Sequence, residues 1–259
     1  MIRVNDFHKA YDRTVAVRGL SFRVRAGQIL GLVGPNGAGK TSTLRVIAGI
    51  IPASHGRIDV NRHCLQTDSI AAKRCLGFIP DDPALFDDLT VDEHLTFFAT
   101  TYAVADAAAK VDRLLQQFQL TEKRRTAARD LSRGMRQKLA ICWAFLHDPQ
   151  AILFDEPLTG LDPHGILILK KSIIDRARAN AAVIVSSHLL AMVEDICTHV
   201  LILEEGEQRF WGPLDELKTR FAVGQTETSL EDIYFRATQA AVLARSSVSC
   251  AASQEPISI

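Results

Sequence analysis

The chain has 259 residues, of which 47% are apolar and 23% are charged, with 30 basic side chains balanced by 30 acidic ones. This composition is ordinary for a globular protein, and the length allows a substantial hydrophobic core in one large domain or two small ones. The zero net charge argues against a whole-molecule field that attracts nucleic acid or anionic lipid, so we expect no nucleic-acid partner. A local basic patch remains compatible with zero net charge.

The cysteines and the apolar runs indicate the compartment. The five cysteines form no CxxC pair, which argues against a disulfide framework or a zinc site and favours a reducing environment. The N-terminal MIRVNDFHKAYDR is charged from its third residue, so no secretory signal is expected. Apolar runs such as AICWAFL are too short to span a bilayer. We therefore expect a cytoplasmic chain that does not cross a membrane by itself.

Strand and helix patterns alternate along the chain. Predicted strands are the β-branched runs MIRV, ILGLV, GRIDV, LGFIP, AILFDEP, AAVIVSSH and HVLILEEG. Several are apolar throughout, as expected for strands buried on both faces of a largely parallel sheet. Predicted helices are KTSTLRVIAGII, the region of DEHLTFFATTYAV, AAAKVDRLLQQF, RGMRQKLAICWAFL and HGILILKKSIIDRARAN. The alternation predicts an α/β fold, with the nearly all-helical residues 82–150 inserted as a subdomain. Residues 246–259 are small and polar and are predicted to be disordered.

The segment GPNGAGKT matches G-x-x-x-x-G-K-[ST], between a predicted strand and a predicted helix. A chance match in a chain of this length has odds on the order of one in a hundred. Its glycines allow successive backbone N–H groups to face one anion at a helix N-terminus, whereas the competing interpretation is a turn that only caps a helix. We expect Lys40 to reach the β- and γ-phosphates and the Thr41 hydroxyl to bind Mg²⁺. The predicted phosphate-binding residues are Gly34, Pro35, Asn36, Gly37, Ala38, Gly39, Lys40, Thr41 and Ser42.

Two further strand ends supply the remaining chemistry. AILFDEP ends in Asp155, which suits a Mg²⁺ coordination sphere, and in Glu156, a candidate general base for an attacking water. A helix-entry charge pair is the alternative interpretation, and the phosphate loop makes catalysis the favoured one. His188 ends the strand in VIVSSH, where α/β proteins bind their ligands, so a γ-phosphate contact is favoured over a structural role.

The order of these pieces, with LSRGMRQK between them, resembles the ATP-binding subunits of ABC transporters over nearly all of residues 1–220. The resemblance implies an ABC-type P-loop ATPase that uses ATP and Mg²⁺, with a mixed sheet core. It assigns Tyr11 to stacking on adenine and His188 to the switch histidine. LSRGM matches the ABC signature, in which Ser132 and Gly134 contact the γ-phosphate held by a second subunit. Asp162 lies in GLDP, which matches the D-loop.

That pattern implies a head-to-tail dimer of ATPase subunits, either identical or different, that sandwiches two ATP molecules and drives a separate integral-membrane permease. The chain would then lie on the inner face of the cell membrane. The sequence departs from the family at two places. Arg133 and Met135 replace Gly and Gln of the common LSGGQ, and Asp81 stands where the family has a Gln that touches Mg²⁺ and the attacking water.

The region after Asp81 resembles the exporter branch of the family, as does TSLEDIYFRAT within a C-terminal helical element predicted at residues 221–245. A simple amphipathic capping helix is compatible with that segment. Leu85 and Phe86 are candidates for a groove that receives a permease helix. The rival function is a soluble ABC ATPase acting on ribosomes or nucleic acid, although the chain lacks the tandem domains or long coiled coil of such proteins. A P-loop GTPase or kinase is disfavoured, since no NKxD motif is present.

Overall fold

The computed structural model describes residues 1–221, 230–232 and 234, and the strands among them form two sheets. The larger sheet contains β3 (Ile29–Val33), β6 (Leu76–Ile79), β7 (Ala151–Asp155), β8 (Ala182–Ser186), β9 (His199–Glu204) and β10 (Glu207–Pro213). Their order is β10-β9-β3-β8-β7-β6, and all pairs are parallel except β9 with β10. Every residue of β3, β7 and β8 is buried, as their continuous apolar runs predict.

The smaller sheet is antiparallel and contains β1 (Ile2–Tyr11), β2 (Thr14–Val24), β4 (His55–Val60) and β5 (His63–Cys64). Its order is β2-β1-β4-β5. Buried and exposed residues alternate along much of β1 and β2, because one face packs on the core and the other faces solvent.

The helices are α1 (Lys40–Ile47), α2 (Ser69–Arg74), α3 (Val91–Thr101), α4 (Ala107–Gln117), α5 (Arg133–Leu146), α6 (Pro163–Arg178), α7 (Leu190–Ile196) and α8 (Leu214–Phe221). Short 3₁₀ turns occupy Thr121–Lys123 and Ala128–Asp130. Helices α3, α4 and α5 pack on one another in the segment between β6 and β7. These three helices lie within residues 82–150, the range that the sequence predicts as a helical insertion.

The core lies on both faces of the larger sheet. On one face α1 and the inner side of the antiparallel sheet form one apolar cluster. On the other face the helical insertion, α6 and α7 form a second cluster, which also includes Leu230 and contacts Tyr234. The α/β architecture with a mixed sheet is therefore confirmed. Of the predicted C-terminal element, only residues 221, 230–232 and 234 are described and they are helical, while the predicted tail at 246–259 lies outside the described residues.

Candidate functional site

The candidate site forms where three neighbouring parallel strands end. Leu32 of β3 and Asp155 of β7 both stand in register with Ser186 of β8. The segments that follow these strands are therefore brought together although they are far apart in sequence. Ligands of open α/β sheets bind at this carboxyl edge.

The phosphate loop connects β3 to α1 by a sharp turn at Gly39. This residue has φ of 100°, in the left-handed region that L side chains rarely adopt. A Cβ at this position would also lie 2.4 Å from the carbonyl oxygen of Ala16. Both constraints require glycine here, and the resulting turn presents the N-terminus of α1 to the loop.

Lys40 is the first residue of α1, and its side chain folds back over the loop. Its Nζ donates hydrogen bonds to the carbonyl oxygens of Gly34 at 2.7 Å and Pro35 at 3.1 Å. Burial lowers the pKa of Lys40, while the nearby Glu156 and Asp155 carboxylates act in the opposite direction. These contacts hold a cation inside the loop, where it can exchange carbonyl oxygens for phosphate oxygens.

Thr41 and Asp155 meet across the gap between α1 and β7. The Thr41 hydroxyl lies 3.3 Å from Oδ1 of Asp155 and donates to it, and the buried Ser186 hydroxyl donates to the same oxygen at 2.6 Å. A hydroxyl and a carboxylate side by side are hard oxygen ligands of the kind that Mg²⁺ takes in phosphate sites. Among the described residues, no group of three or more His, Cys, Asp or Glu side chains is arranged to hold a metal ion. The donor set therefore fits a cation that completes its shell with phosphate and water.

Glu156 and His188 form the second pair. Nδ1 of His188 lies 2.8 Å from Oε2 of Glu156, at hydrogen-bond distance. The Glu156 backbone has φ of 47°, and its N–H faces both the carbonyl and the hydroxyl oxygens of Ser186 at 3.2 Å. Its carboxylate is thereby turned out of the strand towards the site while the backbone stays fixed on β8.

Tyr11 ends β1 close to α1. Its hydroxyl donates to the Ser42 hydroxyl at 3.2 Å, and the residue is 42% exposed. The Nζ of the buried Lys9 lies 4.6 Å from the centre of the ring and also donates to the Pro52 carbonyl at 3.0 Å. The ring is therefore fixed beside the phosphate loop with enough exposed surface to stack on a planar ligand.

The LSRGM segment begins α5. Ser132 caps this helix by accepting a hydrogen bond from the Met135 N–H at 3.3 Å. A Cβ on Gly134 would lie 2.5 Å from the carbonyl oxygen of Gly160, so the two turns are in close contact. Nη2 of Arg133 lies 3.4 Å from Oδ1 of Asp81. The segment thus contacts both the turn after β7 and the loop after β6.

Asp162 caps α6 and accepts a hydrogen bond from the Gly165 N–H at 2.9 Å. This hydrogen bond lowers the pKa of its carboxyl, and Lys138, whose Nζ is 3.6 Å away, adds to the effect. A helix-capping role therefore accompanies the predicted role of Asp162 in nucleotide contact.

The structure thus brings together the phosphate loop, Tyr11, Asp155, Glu156 and His188. In the described part of the chain, no hydrogen bond or ion pair joins residues 131–135 to residues 34–42. Sequence reasoning missed Ser186, which fixes Asp155 and Glu156, and Lys9, which covers the Tyr11 ring. Both stand in ordinary strand patterns, and no sequence signal marked them.

Comparison with known proteins agrees with this geometry. The family model described as ABC transporter matches residues 17–159. The ABC-type transporter ATP-binding protein EcsA of Bacillus subtilis is 33% identical over 92% of this chain and 97% of its own length. The linearmycin resistance ATP-binding protein LnrL of the same organism is 31% identical over 85% of this chain and 71% of its own length. A solved ATP-binding subunit of an ABC transporter superposes with a TM-score of 0.85 at 31% identity, covering 92% of this chain and 99% of that one.

The chain belongs to the ABC transporter family, and it is an ATP-binding subunit and ATPase of the ABC type. The resemblance to the ATP-binding subunits of ABC transporters is confirmed. Within the residues that the structure describes, no helix combines the length and the apolar character needed to cross a membrane.

Proposed function

We propose that this chain dimerises around ATP, hydrolyses it with Mg²⁺, and drives a separate membrane permease in export. The observation that carries the proposal is the convergence of Thr41 with Asp155 and of Glu156 with His188 at the edge of one sheet. These pairs supply a hard-oxygen ligand set and an oriented carboxylate beside the same phosphate loop.

The residues divide the chemistry among them. The loop N–H groups and Lys40 hold the β- and γ-phosphates, and the Tyr11 ring stacks on adenine. Thr41 and Asp155 hold Mg²⁺, which supplies neutralisation of phosphate charge when it is bound. On binding, the Lys40 Nζ would exchange the carbonyl oxygens of Gly34 and Pro35 for phosphate oxygens, and Thr41 would exchange its hydrogen bond to Asp155 for a bond to the metal.

Glu156 acts as general base for hydrolysis. Its carboxylate takes a proton from water as the water oxygen attacks the γ-phosphorus, and the bond to the bridging oxygen breaks to give ADP and phosphate. His188, with the proton on Nδ1, donates to Oε2 and orients this carboxylate. An imidazolium ring donates from both nitrogens, so the protonated form of His188 would also donate from Nε2 to the γ-phosphate.

The Glu156→Gln variant tests this role. We expect it to bind ATP, to hydrolyse it about a hundredfold or more slowly, and to accumulate a dimer in ATP, since proton transfer is lost and ATP is retained. Phosphate release and size-exclusion chromatography measure the two effects. Glu122→Gln is the matched control, because Glu122 lies in an exposed 3₁₀ turn outside the site. Turnover at the wild-type rate in Glu156→Gln would remove Glu156 from the role of base.

The dimer is supported by the position of the signature segment. Ser132 and Gly134 lie at the N-terminus of the 14-residue helix α5, where a hydroxyl and backbone N–H groups favour an anion. Because they make no hydrogen bond to the phosphate loop within the described chain, a second subunit is the natural source of their γ-phosphate. Ser132→Ala should therefore weaken ATP-dependent dimerisation, as measured by the same chromatography.

The permease is proposed to dock a cytoplasmic helix in a groove of about 520 Å³ between α1, β6 and the helical insertion. The residues that line it include Ile50, Pro80, Ala84, Phe98, Tyr102 and Trp143. Pro80 precedes Asp81, so the groove is continuous with the loop that contacts the signature segment. Phe86 is 52% exposed nearby, whereas Leu85 is half-buried against the core, so only Phe86 fits the sequence-based expectation of an exposed contact.

Ile50→Glu tests the groove. Ile50 is 58% exposed, so a charge there should leave the fold intact while it abolishes copurification with the proposed multi-span permease. Ile70→Glu is the control, since Ile70 is 69% exposed and lies on α2 outside the groove. Equal copurification of both variants would contradict the docking site.

Export is supported by the resemblance of the helical insertion to the exporter branch and by the resistance function in the name of one relative. The same assembly would hold the chain on the inner face of the cell membrane. Deletion of the gene and the Glu156→Gln allele should sensitise cells equally to the exported compounds, in a growth panel of membrane-active agents. Greater tolerance in either strain would favour import.

A further inference from the structure

The outer face of the antiparallel sheet carries a group of arginines at the end remote from Tyr11. Alternation along β1 and β2 turns Ile2, Val4, Phe22 and Val24 inwards, so Arg3 and Arg23 point to solvent. Register places Arg3 directly opposite Arg23 on one side. On its other side Arg3 stands opposite Asp59 of β4.

These side chains surround a cavity of about 480 Å³. Its charged lining residues are Arg3, Arg23, Arg25, Arg57, Asp59 and Arg62. The volume lies within the range of small-molecule sites.

The cavity has an uncompensated positive charge. The Asp59 carboxylate is occupied by Arg57, which donates three hydrogen bonds to it at 2.7–3.0 Å. The guanidinium groups of Arg3, Arg23, Arg25 and Arg62 make no hydrogen bond or ion pair within the part of the chain that the structure describes. The excess is local, because the whole chain has 30 basic and 30 acidic side chains.

This arrangement opposes stability in the free protein. Like charges directly opposite one another in an antiparallel pair are destabilising, as at Arg3 and Arg23. A bound polyanion removes that repulsion. Guanidinium groups bind phosphate through two parallel hydrogen bonds, and their apolar stems line the wall of the cavity.

We propose that this cavity binds a small anion with two or more phosphate groups, either a free oligophosphate or the phosphorylated headgroup of a lipid. The site is distinct from the nucleotide site. It lies at the start of β1, whereas Tyr11 ends this ten-residue strand, roughly 30 Å away at 3.3 Å per residue.

Inorganic tripolyphosphate is the probe for the free anion. It is titrated by calorimetry into the full chain carrying Lys40→Ala, which weakens the phosphate loop. We expect one remaining binding site that weakens with salt, and at least about tenfold weaker association when Arg3→Gln and Arg23→Gln are added. Arg18→Gln is the matched control, because Arg18 is an exposed arginine of β2 outside the cavity. The two cavity substitutions in the otherwise wild-type chain should leave ATPase turnover unchanged, which establishes that the fold is intact.

Vesicles distinguish the two sources of phosphate. Cosedimentation is measured with phosphatidylcholine vesicles with and without a phosphoinositide. Retention that requires Arg3 and Arg23 and is displaced by tripolyphosphate assigns the site to a lipid headgroup. Binding of tripolyphosphate without vesicle retention assigns it to a free oligophosphate. The proposal is overturned if tripolyphosphate and vesicles both fail to bind, or if binding is the same in the Arg3→Gln, Arg23→Gln variant.

Discussion

Arg133 and Asp81 form an ion pair, with Nη2 of Arg133 at 3.4 Å from Oδ1 of Asp81. Each residue is a departure from the family pattern in its own motif, and the structure brings the two departures together. The pair joins the start of α5 in the helical insertion to the loop that follows β6 in the sheet. A charge introduced on one loop is therefore matched by the opposite charge on the other.

Restoring the family residue at only one of these positions should raise the KM for ATP more than restoring it at both. Arg133→Gly leaves the Asp81 carboxylate without its ion pair. We propose that Asp81 takes the place of the family's metal-contacting Gln, where a free carboxylate would repel phosphate, so the KM for ATP should rise about two- to fivefold. Adding Asp81→Gln removes that charge and should return KM towards the wild-type value. Steady-state phosphate release is measured for the wild type, the two single variants and the double variant. Additive effects of the two substitutions would show that the ion pair does not couple the loops.

The same pair should contribute little to global stability. The side chains are 59% and 47% exposed, so solvent screens the attraction. Breaking it should lower the free energy of unfolding by no more than about 1 kcal/mol. Urea denaturation of Arg133→Gly and of Asp81→Gln checks this, and a loss several times larger would mean that the contact organises the core.

Ser186 should matter for both stability and metal use. Its hydroxyl is fully buried, donates to Asp155 at 2.6 Å and faces the N–H of Glu156. Ser186→Ala leaves these partners short of a hydrogen bond, so it should lower the free energy of unfolding by about 1–3 kcal/mol. It should also raise the Mg²⁺ concentration needed for half-maximal hydrolysis, because Asp155 is less firmly held.

Ser172→Ala is the control for Ser186→Ala. Ser172 is also a buried serine with two hydrogen bonds, to Gln117 and to the Ile168 carbonyl, but it lies on α6 away from the site. We expect it to lower the denaturation midpoint without changing the Mg²⁺ dependence. If both variants shift the Mg²⁺ dependence equally, the effect arises from stability and not from the positioning of Asp155.

Gly39 and Gly37 provide a test of the loop turn. Both have left-handed φ, 100° and 82°, but a Cβ on Gly39 meets the Ala16 carbonyl oxygen at 2.4 Å while a Cβ on Gly37 meets nothing within 4 Å. Gly37→Ala should cost about 1–2 kcal/mol from the backbone conformation alone. Gly39→Ala should cost about 1–3 kcal/mol more and abolish ATP binding, because the loop must move. Calorimetry and fluorescent-nucleotide binding compare the variants, and equal losses would contradict a steric role for Ala16.

Sequence patterns predicted those parts of the fold that bury continuous apolar runs. Strands β3, β7 and β8 are such runs, and the polar residues that end them converge because parallel strands share one carboxyl edge. Strand β2 was missed because Arg18 and Gly19 interrupt the alternation of apolar and polar residues that marks a strand with one buried face. Strand β10 and the short helices α2, α7 and α8 were also missed, since six to eight residues carry little periodic signal.

The contacts within the site show a similar division. The P-loop lysine and threonine follow from a local motif, whereas the pairing of Arg133 with Asp81 joins residues 52 positions apart and depends on the docking of the insertion. The hydrogen bonds from the Lys40 side chain to the carbonyls of Gly34 and Pro35 likewise depend on three-dimensional packing. A local motif therefore predicts which residues carry the chemistry, but it does not predict the distant residues that hold their side chains in position.

His147 should make stability depend on pH. It is stacked on Tyr102 with ring centres 4.1 Å apart, and Nε2 lies 3.2 Å from the Leu76 carbonyl oxygen. Burial lowers its pKa, although this hydrogen bond and the Asp148 carboxylate partly oppose the effect. The native state therefore binds a proton at His147 less readily than the unfolded chain does. The contribution of His147 to the free energy of unfolding is present above the unfolded pKa of about 6.5 and is lost as pH falls through the lower folded pKa.

His147→Phe retains an aromatic ring and removes the titration. We expect a fixed loss of about 1 kcal/mol from the missing hydrogen bond and a smaller decline in unfolding free energy between pH of about 7 and about 5. His164→Phe, at an exposed position of α6, should keep the wild-type decline. Urea denaturation at a series of pH values measures the difference. An unchanged decline in His147→Phe would assign the acid sensitivity to other groups that take up protons on unfolding.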